Sequence, residues 1–254
     1  MGAVTTGLVG KAFSANYQGA SPYPHIVLKD FFDAKTVQEV AEEVKSFDFF
    51  DGEKDFYGAK KKRYCGSYDK FPPKTKAFID YCNSQPFMTF LEEMTGEHGL
   101  VADPYFEGGG IHSLKSGGFL KVHADFNWHK RLNLYRRLNL LVYLNSGWQD
   151  SWGGHLELWK TDMSGMAAKV APALGTAVVF TTDDQSFHGH PDAMTCPETV
   201  TRDSIALYYY SEKRPQDADR TIRDTTDYRA RGVMDAKTMV EKSKEKLKAL
   251  LGRK

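Results

Sequence analysis

From Gly108-Gly109-Gly110 onward, the chain breaks into short apolar runs separated by glycines and turn residues. These runs cover Leu138 to Leu144, Gly154 to Trp159, Val170 to Leu174, Thr176 to Phe180 and Ser204 to Tyr210. They are too short for stable helices and rich in β-branched and aromatic residues, so they read as strands in the rhythm of a jelly roll. The preceding region has a different period. Ser21 to Lys29 reads as a proline-rich turn leading into a strand, and Asp33 stands where a helix cap belongs. From Ala34 to Phe47 the apolar residues Val37, Val40, Ala41, Val44 and Phe47 recur at helical spacing. A second helical zone runs from Pro73 to about Met94, interrupted near Pro86, with Phe78, Ile79, Tyr81, Phe87, Phe90 and Leu91 as its core face. Helices followed by many short strands predict a mainly β fold with supporting α-helices, built on a double-stranded β-helix or jelly-roll core.

A chain of 254 residues with 41% hydrophobic and 13% aromatic residues can bury a substantial core as a single domain. We expect residues 1–105 to form the helical and strand support, 106–212 the core, and 213–254 a C-terminal extension. Asp235 to Leu251 reads as a basic amphipathic helix with Met239, Val240, Leu247, Leu250 and Leu251 on its apolar stripe, available to pack on the barrel or to form a homodimer. The formal charge of +1 argues against a nucleic-acid partner. Cys65, Cys82 and Cys196 show no C-x-x-C spacing and leave one unpaired in any case, which fits a reducing cytoplasm. Met1 to Gln18 lacks a signal-peptide core, and no segment approaches the roughly 20 apolar residues that span a bilayer.

Chemistry concentrates on a few positions. His123 and Asp125 are two apart in the strand-like run Gly118 to Asp125, so their side chains emerge on one face and can chelate one ion. A further ligand is available from Ser186-Phe187-His188-Gly189-His190-Pro191, where His188 and His190 are alternatives by strand alternation. Two histidines and one carboxylate make the facial ligand set of non-haem Fe(II) oxygenases, which leaves open positions on the metal. Arg202 opens the run that ends at Tyr210, and a buried guanidinium there could clamp a carboxylate through two parallel hydrogen bonds.

In His123-x-Asp125, the run Trp152-Gly153-Gly154-His155-Leu156-Glu157-Leu158-Trp159, His188-Gly189-His190-Pro191 and Arg202, the chain resembles the 2-oxoglutarate/Fe(II)-dependent dioxygenases, in their prolyl 4-hydroxylase-like branch. The resemblance extends from about Phe106 to Tyr210. It implies a cupin-like barrel that holds Fe(II) on His123, Asp125 and His188, since the family places its distal ligand immediately before a glycine and a few residues before a proline. It also implies 2-oxoglutarate as cosubstrate with its far carboxylate on Arg202, dioxygen as oxidant, and ascorbate as an auxiliary reductant. The implied reaction converts 2-oxoglutarate to succinate and carbon dioxide while hydroxylating an unactivated C–H bond. Related halogenases carry glycine or alanine in place of the carboxylate, so Asp125 points to hydroxylation. Tyr135 and Asn139 are further candidates for the cosubstrate pocket, and Asn127, Trp128, His129 and His190 for the substrate pocket.

The expected substrate is a prolyl or other residue in a protein or peptide, with a free amino acid or small metabolite as the alternative. Two readings of other classes compete: a cupin-like metal hydrolase that activates water, and a non-catalytic jelly-roll binding module. Several features read as structural. His155 and Glu157 share a strand face but lack a third ligand, Lys60-Lys61-Lys62-Arg63 reads as a solvated loop, and Gly108-Gly109-Gly110 lacks the Lys-Ser or Lys-Thr of a phosphate loop. Arg214, Arg220, Arg223, Arg229 and Arg231 are read as surface residues that could close over an anionic substrate.

Overall fold

The computed structural model describes residues 7–212, 221–232 and 235. In chain order its helices and strands are α1 (Lys11–Gln18), β1 (His25–Leu28), α2 (Ala34–Lys45), β2 (Gly52–Phe56), β3 (Ala59–Cys65), α3 (Pro73–Cys82), α4 (Gln85–Thr95), β4 (Val101–Ala102), β5 (Gly110–Ala124), β6 (Trp128–His129), β7 (Leu134–Tyr143), β8 (Leu156–Trp159), β9 (Met166–Val170), β10 (Ala177–Thr181), β11 (His188–His190), β12 (Arg202–Ser211) and β13 (Asp227–Tyr228).

Local sequence explains the helices. The Asp33 carboxylate accepts a hydrogen bond from the Thr36 backbone N–H at 2.8 Å, capping α2 as expected. Val37, Val40, Ala41 and Val44 then form one buried stripe. Pro86 lies in the first turn of α4, where its missing N–H costs nothing, so the expected interruption is a helix start after the short link Asn83-Ser84.

The strands form one nearly closed antiparallel barrel of jelly-roll type, in the order β1-β10-β7-β12-β5-β11-β8-β9. The 15-residue β5 is the hinge of this arrangement. Its first part, Gly110 to Leu114, pairs with β12, and its last part, Leu120 to His123, pairs with β11 on the facing layer. Between them the strand turns at Gly117, whose φ of +75° is one that residues with a Cβ rarely adopt. Alternation then divides the two faces. Leu138, Leu140 and Val142 of β7 join Ile205 and Leu207 of β12 in a core shared with α2, α3 and α4. Asn139, Leu141, Tyr143, Arg202, Ser204 and Tyr208 face the opposite way and line a cavity inside the barrel.

Two strand expectations are corrected. Lys60 to Arg63 is not a loop: these residues lie on β3, which takes up hydrogen bonds along the second edge of β5, with Lys62 opposite Leu114. The strand expected over Val170 to Leu174 instead covers Met166 to Val170, because β9 must match β8 in register from Leu156 to Trp159. The hairpin β2–β3 and helix α1 carry too little apolar periodicity to be read from sequence. The helix expected over Asp235 to Leu251 lies, apart from Asp235, outside the described residues. Among the described residues no helix is long and apolar enough to cross a membrane. Cys65, Cys82 and Cys196 are buried and unpaired.

Gly189 carries a tight requirement in the facing layer. A Cβ there would lie 2.8 to 3.0 Å from backbone atoms of Leu120 and Lys121 in β5. Relieving that overlap means pushing β11 away, so Gly189→Ala should cost about 2–3 kcal/mol, the upper range for overpacking. Gly147→Ala, at φ +66° with nothing within 4 Å, should cost only the backbone strain of about 1 kcal/mol. Urea unfolding of both variants checks the order; equal losses would contradict the close approach.

Candidate active site

Antiparallel pairing of β5 with β11 places His123 directly opposite His188. Their rings lie 4.5 Å apart between centroids. Asp125, two residues beyond His123, reaches both: its Oδ1 is 3.4 Å from His123 Nε2 and its Oδ2 is 3.5 Å from His188 Nε2. Ligand atoms of all three lie within 4.8 Å of one another. No ion-sized set of this kind is formed by other described residues.

The imidazole tautomers suit a cation. His123 Nδ1 is 2.7 Å from the Lys121 carbonyl oxygen, and His188 Nδ1 is 2.9 Å from the Ser186 carbonyl oxygen. A carbonyl only accepts, so each Nδ1 carries the hydrogen and each Nε2 turns a lone pair toward the shared centre. Burial, followed by the neighbouring His188, lowers the His123 pKa and favours the neutral ring that a metal needs.

Asp125 is held by a buried polar network. Arg136 Nη2 donates to its Oδ2 at 2.9 Å, and Asn139 Nδ2 donates to the same oxygen at 2.8 Å. The Asn139 carbonyl oxygen accepts in turn from Arg136 Nε at 2.8 Å and from Thr182 Oγ1 at 3.1 Å. The Arg136 guanidinium lies 3.3 Å from the Tyr208 ring centroid. Burial pushes the Asp125 carboxyl up, but Arg136, His188 and the His123 contact outweigh it and hold the group well below the usual carboxylate range. The side chain is therefore ionised and fixed in orientation.

The cavity extends from this centre to Arg202. Arg202 is buried, donating from Nε to the Gly154 carbonyl oxygen at 2.6 Å and from Nη2 to the Tyr143 hydroxyl at 3.3 Å. His190 also lines this cavity, buried, with neither ring nitrogen hydrogen-bonded. Burial, then Arg202 and Lys62, hold its pKa well below the ordinary histidine value. Of the other expected cavity residues, Asn139 is present through its bond to Asp125, but Tyr135, Asn127, Trp128 and His129 lie outside the lining. Tyr135 packs edge-on against Trp128 at 4.8 Å. Asn127 ties its loop to Thr221 and Arg223 at 2.9 and 2.7 Å. His129 is fully buried beside Asp103 and Glu107, at 3.4 and 3.3 Å. They anchor the chain behind Asp125, where Trp128 and His129 pair with Tyr135 and Leu134 of β7.

His155 and Glu157 are engaged separately, with Asp150 at 3.1 Å and the Trp159 indole N–H at 2.9 Å, and make no metal pair. Arg223 and Arg229 both pair with Asp227, and Arg231 pairs with Asp192 at 2.8 Å, while Arg214 and Arg220 lie outside the described residues. Sequence reasoning missed Arg136, Tyr143, Tyr208, His112 and Lys62, all of which line the cavity or brace its ligands. The available signal for Arg136 was the Arg136-Arg137 pair inside a strand run rich in leucine.

Residues 109–210 match the family model of the 2OG-Fe(II) oxygenase superfamily. A search of curated proteins gives no match. The fold is similar to a prolyl hydroxylase from Trichoplax adhaerens, solved in complex with a hypoxia inducible factor oxygen degradation domain peptide fragment (TM-score 0.56, 18% identity, covering 80% of this chain and 89% of that one). It is also similar to a Pseudomonas putida prolyl-4-hydroxylase (TM-score 0.55, 17% identity, 82% and 100% covered). HygX from Streptomyces hygroscopicus, solved with nickel and 2-oxoglutarate bound, is similar at TM-score 0.50 and 14% identity, with 81% and 92% covered.

The Asp125–Arg136 pair generates a stability prediction. Arg136→Met leaves a buried carboxylate without its cation and should destabilise the fold by about 3–5 kcal/mol. Adding Asp125→Asn should recover part of that loss, which a double-mutant cycle by urea unfolding would measure. Strict additivity would show that the pair is not energetically coupled.

Proposed function

We propose that this chain, whose core belongs to the 2OG-Fe(II) oxygenase superfamily and which is an enzyme of the 2-oxoglutarate-dependent dioxygenase type, hydroxylates an unactivated C–H bond in a protein or peptide residue, with proline the favoured target. The observation that carries the reading is the cavity itself. One end gathers His123, Asp125 and His188 with both Nε2 atoms turned toward the Asp125 carboxylate, and the other holds the buried Arg202. A dicarboxylate with a 2-oxo head fits between such ends, its head at the metal and its tail at the guanidinium.

In this reading His123, Asp125 and His188 hold Fe(II), and Arg202 binds the distal carboxylate of 2-oxoglutarate. Bound Fe(II) supplies the redox chemistry that couples cosubstrate decarboxylation to hydroxylation. The chain's own residues provide positioning. Arg136 and Asn139 stop Asp125 from rotating, the Lys121 and Ser186 carbonyls fix both imidazoles, and Tyr143 orients Arg202 by accepting its Nη2–H. Leu120, Leu141 and Leu156 line the space between the ends and keep it apolar. The preference for a peptide draws support from the prolyl hydroxylase neighbours, including the one solved with a peptide fragment. HygX, also solved with hygromycin B bound, makes a small metabolite the reading to test against it.

His123→Ala and Asp125→Ala should each abolish succinate formation from 2-oxoglutarate, while Arg202→Gln should raise the 2-oxoglutarate KM by about tenfold or more, as expected for a lost charge-assisted bond. Wild-type turnover in either ligand variant would sink the triad. Offered a proline-containing peptide library and a metabolite extract in parallel, the enzyme should add the mass of one oxygen atom to peptides. Oxygen addition confined to metabolites would reverse the substrate assignment.

A further inference from the structure

Lys62 has no place in the function described so far. It sits on β3 opposite Leu114, and Arg202 sits on β12 opposite the same Leu114. Residues paired across an antiparallel ladder project to one face, so β3, β5 and β12 present Lys62, Leu114 and Arg202 in a row toward the barrel interior. All three line the cavity. Among the described residues, no hydrogen bond or ion pair is formed by the Lys62 ammonium group. Burial, then the nearby Lys54, pushes its pKa down to about 7. A lysine placed this way is short of an anion.

The neighbouring groups deepen that shortage. Asp125 is the carboxylate of the cavity lining, and Arg136 already pairs with it. Beside Lys62 and Arg202 stands His190, with both ring nitrogens unpartnered, while His112 Nε2 is taken up by the Gly108 carbonyl oxygen at 3.0 Å. The far end of the cavity thus holds two basic side chains and an unused imidazole, and apart from Asp125 at the opposite end no carboxylate stands among the described lining residues.

We propose that Lys62 is a second cation for the distal carboxylate of the cosubstrate, gripping it from the β2–β3 hairpin side while Arg202 grips it from β12, so that the pocket selects dicarboxylate 2-oxo acids through two strands. The inference rests on the reading that Arg202 marks the cosubstrate's distal end. His190 lies within the same end and supplies a hydrogen bond to the anion. The hairpin thereby becomes part of the cosubstrate site, although its sequence reads as a surface charge run.

Isothermal titration of the Mn(II)-loaded protein without oxygen tests this directly. The probes are 2-oxoglutarate and 2-oxovalerate, which has the same 2-oxo acid head and no distal carboxylate. Lys62→Met should weaken 2-oxoglutarate binding by about tenfold or more, the scale of a charged hydrogen bond, and leave 2-oxovalerate within about twofold. Lys62→Arg should restore most of the loss. An unchanged 2-oxoglutarate affinity in Lys62→Met, or an equal loss for both acids, would overturn the proposal. Arg202→Gln separates the two levels of inference: if it weakens 2-oxoglutarate while Lys62→Met does not, only the role of Lys62 fails. If neither variant weakens it, the cosubstrate reading fails with it.

Discussion

The site depends on one strand pairing, that of β5 with β11, which sets His123 opposite His188. Neither histidine has a local reason to meet the other, since 64 positions separate them in the chain. They meet because β5 is long enough to leave β12 after Leu114 and join β11 from Leu120. Gly189 lets the two backbones approach, and Gly117 lets β5 turn between its partners. Once that pairing is made, the strand period delivers Asp125 to the same face as His123.

Electrostatics then fixes the chemistry. The buried Arg136 keeps Asp125 ionised and immobile, and the backbone carbonyls of Lys121 and Ser186 fix each imidazole with its Nε2 inward. Uncompensated, the carboxylate and guanidinium would each be costly to bury. Together with Asn139 and Thr182 they form a buried hydrogen-bonded network that satisfies the carboxylate and leaves Arg136 Nη1 without a partner among the described residues. The opposite end is built differently, with Arg202 committed to Gly154 and Tyr143 on one side, and on the other His190, whose ring nitrogens have no partner among the described residues, beside Lys62. In the proposed reading one end is organised for a cation and the other for an anion.

Sequence made much of this legible, and its failures have physical causes. Within a short span, alternation worked: His123 and Asp125 were read on one face, and Asp33 was read as the cap of α2. Across longer spans it failed, because parity changes along β5: His112, Leu114 and Leu120 face the cavity, and so do His123 and Asp125 beyond the register irregularity where β5 pairs β11. A register slip where β7 meets β12 similarly brings Arg136 to the same side as Asn139, while Arg137 reaches Glu97 instead. Nothing in the local pattern announces such slips. Lys62 was hidden by its neighbours, since a run of four basic residues reads as solvated surface whether or not one of them turns inward. The sequence places Tyr135 in the cavity where the structure has Tyr143, because which tyrosine faces inward depends on register rather than composition.

The central claim, that one cavity holds a metal at one end and a 2-oxo dicarboxylate across its length, is tested most directly by anaerobic optical titration. Metal-free protein is loaded with Fe(II) and then with 2-oxoglutarate. The account predicts a visible metal-to-ligand charge-transfer band that appears only when both are present and requires His123, Asp125 and His188. Iron binding with no such band at saturating 2-oxoglutarate would contradict it.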